Sequence, residues 1–377
     1  MSKFFELVGY EYKKMLGHKS MIIVFALSLA VMIIGQTVMV LPIFPSWYEG
    51  ENRWEYMVRD REYARALSGR AIDADLLMEA VESRNAGDFR AYRHILRLIN
   101  QVYGTALVTP ENAGDFYALR RHQVEDWLGS GRSAELLLSL DARITEPWVF
   151  EYAGAFMGFF DGSVASLLAG LLIAVGIAPL FAREHSTGVA QLMLTSRHGK
   201  STLIWAKIFT AISFSILISL FFTAASFLTD AIIFGFDGTS APFQLSWWTH
   251  SPYPITMGQA ALIFSATLAL RIVLFGSVLL LLSAKFKSSF AVTIFAAVWM
   301  FAALLFYVPI PVVWLENFTR MFIRVLPFPQ TVFLAEPYEI FGLAIIPFVV
   351  DIIAALVASA AVLPFAARGF RKYQVGG

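Results

Sequence analysis

The chain has no cysteine anywhere in its 377 residues. That excludes a disulfide framework, a thiolate zinc site and a thiol nucleophile. Charge is also scarce: 15% of residues are Asp, Glu, Lys or Arg, against about 25% in ordinary soluble domains. The formal net charge of +1 argues against the basic footprint of a nucleic-acid binder. Six histidines (18, 94, 122, 185, 198 and 250) are scattered, with no HExxH pattern and no carboxylate cluster at ligand spacing, which argues against a metal centre. Gly199-Lys200-Ser201-Thr202 resembles the end of a phosphate-binding loop, but Leu194 stands where the motif needs its first glycine, and no strand precedes it. No catalytic residue and no metal ligand is expected.

What is present is apolar. Hydrophobic residues make up 58% of the chain, and they are gathered into blocks of membrane-spanning length, about 20 residues. Residues 1–19 come first. Phe4, Leu7, Val8, Tyr12, Met15 and Leu16 fall at helical spacing among Lys3, Glu6, Lys13 and Lys14. This predicts an amphipathic helix at the membrane surface. A first span follows at 20–41. Further spans are expected at 163–182, 208–234, 259–283, 290–308 and 340–366. The fold class is thus an all-α polytopic membrane protein with six transmembrane helices. Trp148, Trp247, Trp248, Tyr253, Tyr307, Trp314 and Tyr338 lie near the expected ends, as an interfacial aromatic belt would.

Residues 42–162 differ in kind. Positions 42–158 carry thirteen Arg, eighteen Asp or Glu and no Lys, a local net charge of −5. Helical runs are expected over 54–67, 75–84, 89–102, 112–128 and 134–144, with Asp73 and Ser133 as N-caps. This predicts a helical domain inserted between spans one and two. All nine lysines (3, 13, 14, 19, 200, 207, 285, 287 and 372) fall in the N-terminal tail, the second-to-third loop, the fourth-to-fifth loop or the C-terminal tail. With six spans, these four places share one side. The bias of basic residues then puts both termini in the cytoplasm and the insert outside. Residues 309–339, with Arg320 and Arg324, form an outer interfacial segment.

Residues 183–207 are polar and basic, yet lie between two apolar blocks. Glu184 closes one span, Gly188 follows, then Leu192 and Leu194, then Arg197, and Lys207 opens the next span. In that order these residues resemble the first cytoplasmic loop of type-2 (ABC-2) ABC transporter permeases. Thr195-Ser196-Arg197 stands where that family often has a proline, and His185 and His198 match no part of its pattern. The resemblance implies a coupling loop, Arg183, Glu184, Gly188, Leu192, Leu194, Arg197 and Lys207, that a separate ABC ATPase grips. It implies a second permease half, identical or homologous. It also implies ATP and magnesium on the partner ATPase, with no cofactor on this chain, and export of a lipid-like, peptide or drug-like substrate from the cell membrane. The chain would be a transport subunit, not an enzyme. The alternative is a membrane sensor or assembly factor that binds a ligand or protein through its outer domain. A membrane-embedded enzyme finds no acid pair or nucleophile–base set in the spans. A secondary transporter finds no repeat of the first three spans in the last three.

Arg271 and Asp351 each lie inside an apolar span. An ionised group there costs several kcal/mol unless paired or hydrated. Both are roughly central in their spans, so two readings stand: an ion pair between spans four and six, or two groups that separately face a polar cavity or a second subunit.

Overall fold

The structure is a computed structural model that describes residues 2–40, 53–161, 164–189, 201–305, 310, 312–334 and 336–371. Helix α1 (Ser2–Leu16) and helix α2 (Lys19–Val40) meet at a short turn. Val8, Glu11 and Met15 are buried along one face of α1. Of the expected stripe Val8 and Met15 are buried, Phe4, Leu7 and Tyr12 are half-buried and Leu16 is exposed, while the charged Glu11 joins the buried face. Helix α2 is apolar on all sides and long enough to cross a membrane.

The next helices are α3 (Arg53–Leu67), α4 (Ala74–Asn85), α5 (Arg93–Tyr103), α6 (Phe116–Leu128), α7 (Arg132–Asp141) and α8 (Gly154–Asp161). Asp73 caps α4 by accepting the Leu76 N–H at 3.0 Å. Ser133 is not a cap. Helix α7 starts one residue earlier, after Gly131, and the Ser133 hydroxyl donates to Glu339 instead. The expected helix over 89–102 begins only at Arg93, and its apolar stripe, from Ile95 to Val102, is buried.

This insert does not close on itself. Its core of Ile72, Leu76, Leu98, Phe116 and Trp148 is continuous with Phe243, Leu245, Trp248 and Tyr253, and with Phe333. Arg120, fully buried, seals the junction. It pairs with Asp141 and donates to the carbonyls of Thr249 and Ser251. Trp148, Trp248, Tyr253 and Tyr338 are therefore core residues rather than belt residues. Trp247 and Trp314 are exposed, and Tyr307 lies outside the described residues.

The second span is in two pieces, α9 (Val164–Ile177) and α10 (Pro179–Ser186). Pro179 cannot donate to the preceding turn, so the helix breaks there. Ser283 repairs the break: its hydroxyl accepts the Phe181 and Ala182 N–H groups, both at 3.0 Å, and donates to the Ala178 carbonyl at 2.8 Å. Helices α11 (Thr202–Phe234) and α12 (Met257–Lys285) follow. At 33 residues, α11 runs roughly 50 Å, longer than a hydrocarbon layer of about 30 Å. Thr256 and Gln259 start α12 with a reciprocal capping box. Helix α13 (Ser289–Leu305) carries a shorter apolar stretch, Ser289–Ala302. Then come α14 (Val313–Phe318), a π-turn (Thr319–Ile323), α15 (Pro329–Phe333), strands β1 (Tyr338–Ile340) and β2 (Leu343–Ile345), and α16 (Pro347–Arg371).

The last long helix starts at Pro347, seven residues later than the apolar run suggests. Residues 338–345 form a hairpin, with Tyr338 opposite Ile345 and Ile340 opposite Leu343. Its two-residue loop is Phe341-Gly342, both with positive φ (51° and 79°), as a tight hairpin turn demands. Among the described residues, five helices are long and apolar enough to cross a membrane, so the chain is a helical, multi-pass membrane protein. Helix α1, the end of α10, the start of α11, and the ends of α12 and α16 meet at one end of the bundle. The insert and its partner loops lie at the other.

Candidate functional site: two buried charge clusters

At the lysine-rich end, Glu184 terminates α10 and Lys207 sits in the first turns of α11. Both are buried. Lys207 Nζ is 2.6 Å from Glu184 Oε1 and 2.8 Å from Glu11 Oε2, and it donates to the Leu180 carbonyl at 3.1 Å. Lys14 Nζ adds a second ammonium, 2.8 Å from the same Glu184 oxygen and 3.9 Å from Glu11. Two carboxylates and two ammoniums thus tie α1, α10 and α11 together. The formal charges cancel, as burial requires. Burial opposes the charge on Lys14, but Glu184 and Glu11 outweigh it and hold the ammonium above its usual pKa.

The hydrogen-bonding is uneven. Glu184 Oε1 receives both lysines, whereas Glu184 Oε2 and Glu11 Oε1 are buried without a hydrogen-bond partner among the described residues. Around the cluster, His185 Nε2 lies 3.1 Å from the Ala284 carbonyl and its ring packs on Phe370. Gly188, with φ of 73°, ends the α10 turn in a conformation that favours glycine.

The structure therefore brings Glu184 and Lys207 into direct contact. Arg183 is exposed beside them and donates to His18. Leu192, Leu194 and Arg197 lie outside the described residues. Glu11 is the member that reading the sequence missed. A signal was available: it stands three residues after Val8 and four before Met15, on the apolar face of α1, where a charge needs a partner.

The second cluster lies between α12 and α16. Arg271 Nη2 is 2.6 Å from Asp351 Oδ1, and both residues are buried. Arg271 also donates to the Arg324 carbonyl, and the Tyr338 hydroxyl donates to Asp351 Oδ1 at 2.8 Å. Arg324 in turn makes a forked pair with Glu316, at 2.9 and 3.0 Å. Arg320 lies 4.2 Å over the Tyr338 ring. The pair thus fastens two long helices to the hairpin and to the segment before it. Of this set, Tyr338 was expected at a membrane interface, and its contact with Asp351 had no signal in the sequence.

Among the described residues, no group of three His, Cys, Asp or Glu is placed to hold a metal ion. The clusters contain no nucleophile beside a base. Their chemistry is electrostatic: they fix the relative positions of helices. A scan against protein-family models and searches of curated proteins and of solved structures return no match.

Proposed function

We propose that this chain is the membrane-spanning permease subunit of an ABC-type exporter, driven by ATP hydrolysed on a separate ATPase chain. The observation that carries the reading is the cluster at the second-to-third span bend. A surface helix, the end of one span and the start of the next are joined there by buried charges rather than by apolar packing alone. A push on residues 183–207 would reach α1 and both spans through Glu184, Glu11 and Lys207. Two-state levers need contacts that differ between states, and lysines sharing one carboxylate oxygen, with two other oxygens free, supply such contacts.

In this reading the lysine-rich end faces the cytoplasm, α13 serves as the fifth of six spans, and the helical insert with the 235–256 loop stands outside. The ATPase would dock on 183–207, of which Leu192, Leu194 and Arg197 lie outside the described residues. Glu184 and Lys207 would act from behind, as the brace. A second permease half would complete the route.

The test is affinity purification of the full chain in mild detergent, with identification of the chains that remain bound. An ATPase that is retained by the wild type and lost in Gly188→Trp supports the reading. Recovery of the chain with no ATPase, or retention unchanged by Gly188→Trp, would overturn it in favour of a sensor or assembly role.

A further inference from the structure

A half-open hollow of about 120 Å³ lies between the α1–α2 elbow and the second span near Pro179. Its floor is apolar, with Met15, Met21 and Val175, and its rim carries His18, Ser20 and Arg183. A smaller hollow of about 10 Å³ shares five of its lining residues and adds Glu11, Lys14 and Leu180. The charge balance here is lopsided. Glu11 and Glu184 are matched by Lys14 and Lys207. Arg183 is left over: among the described residues it has no carboxylate partner, and its guanidinium donates to the His18 ring. An exposed arginine beside this hollow, hydrogen-bonded to an imidazole and to no carboxylate among the described residues, is available to the anions that a guanidinium fork recognises best.

The surroundings say what form that anion takes. The elbow is where a surface helix turns into a membrane-crossing one, so it lies at the level of lipid head groups. Ile22 and Ile23, just past the cavity on α2, are more than half exposed (58% and 55%), which offers acyl chains an apolar wall directly below the basic rim. Basic pockets between helices at a membrane surface suit anionic head groups.

We propose that the α1–α2 elbow is a binding site for the phosphate of an anionic glycerophospholipid, held by Arg183 and His18 over the Met15–Met21–Val175 floor. A bound lipid of this kind supplies the missing counter-charge for Arg183 and fixes the angle between α1 and α2. The inference does not depend on what the protein transports, or on whether it transports at all.

Native mass spectrometry of the full chain in mild detergent tests it, with dioleoyl phosphatidylglycerol, dioleoyl phosphatidylcholine and inorganic phosphate as probes. Phosphatidylglycerol is expected to remain bound preferentially. Arg183→Gln should reduce its retention about fivefold, the worth of one basic group near a lipid surface. Ser20→Asp places a carboxylate at the rim without removing a contact, and should do the same in a protein with unchanged melting temperature. Arg368→Gln, which removes a charge elsewhere at the same end, should not. Equal retention of the two lipids, or an equal loss in Arg368→Gln, would overturn the site. Competition by inorganic phosphate as strong as that of the lipid would overturn the lipid assignment.

Discussion

The two buried charge clusters solve one problem in different ways. The Arg271–Asp351 pair is directional: a planar guanidinium reaches one carboxylate and one carbonyl, and a tyrosine hydroxyl fixes the same carboxylate. The planar group holds its two partners in one geometry, although Arg271 Nε is itself buried without a hydrogen-bond partner among the described residues. The Glu11–Lys14–Glu184–Lys207 cluster uses compact ammonium groups that crowd one carboxylate oxygen and leave two others without partners. Its bonds can be redistributed without unpairing any charge. The first is built as a strut between α12 and α16, the second as a joint between α1, α10 and α11. Stability alone would not call for this contrast, since apolar packing often serves buried sites equally well.

The comparison breaks most visibly if a central cation is removed. Lys207→Met leaves two buried carboxylates with only the partly exposed Lys14 between them and should cost about 3–5 kcal/mol. We expect loss of folded protein, or α1 released to protease. Lys14→Met should cost less, because Lys14 is partly exposed and Lys207 still serves both acids. Equal losses from the two would mean the joint is not centred on Lys207.

At the strut, Arg271→Met should cost a similar ~3–5 kcal/mol in thermal unfolding, since it leaves Asp351 buried and alone. The exchange Arg271→Asp with Asp351→Arg should recover part of this and not all, because the carboxylate introduced on α12 would face the Arg324 carbonyl. An exchange that restores nothing would count against the pairing. Tyr338→Phe removes one hydrogen bond to a charged group and should cost about 1.5–3 kcal/mol, read as a lowered melting temperature.

The smallest effect expected lies in the helical insert and the 235–256 loop packed on it, which carry neither cluster. Burial holds His94 below its ordinary pKa of 6.5, against the pull of Asp60 and with smaller contributions from Arg93 and Arg97. Burial, then Arg120, does the same to His250. A histidine depressed in the folded state is protonated more readily when unfolded. Stability is therefore full above pH 6.5 and falls as pH drops below it. Proteolysis of the insert should speed up between pH 7.5 and 5.5, and the slope should flatten in His94→Gln with His250→Gln.

Much of the membrane-embedded part could be read from residues alone. Apolar blocks are long, and a charge within one, such as Arg271 or Asp351, stands out against its neighbours. What stayed hidden depended on distant chain segments meeting. Glu11 looks like one more charge on a surface helix until its place on the buried stripe is set beside Lys207. Trp248 and Tyr253 resemble an interfacial belt because their ring partners, Phe160 for the first and Phe333 and Phe348 for the second, are remote in sequence. The 338–345 hairpin is disguised by its apolar strands, which read as the beginning of the last span, with Gly342 as the mark of its turn.

Paired spin labels measure the joint and the strut side by side. The absence of native cysteine lets labels be placed cleanly. Exposed Tyr10 on α1 and Trp205 on α11 would report the joint, and Leu262 on α12 and Ile353 on α16 the strut. If the proposed ATPase co-purifies with the chain, nucleotide binding should shift or broaden the Tyr10–Trp205 distance and leave the Leu262–Ile353 distance unchanged. A static inner pair, or a moving outer pair beside it, would contradict the account.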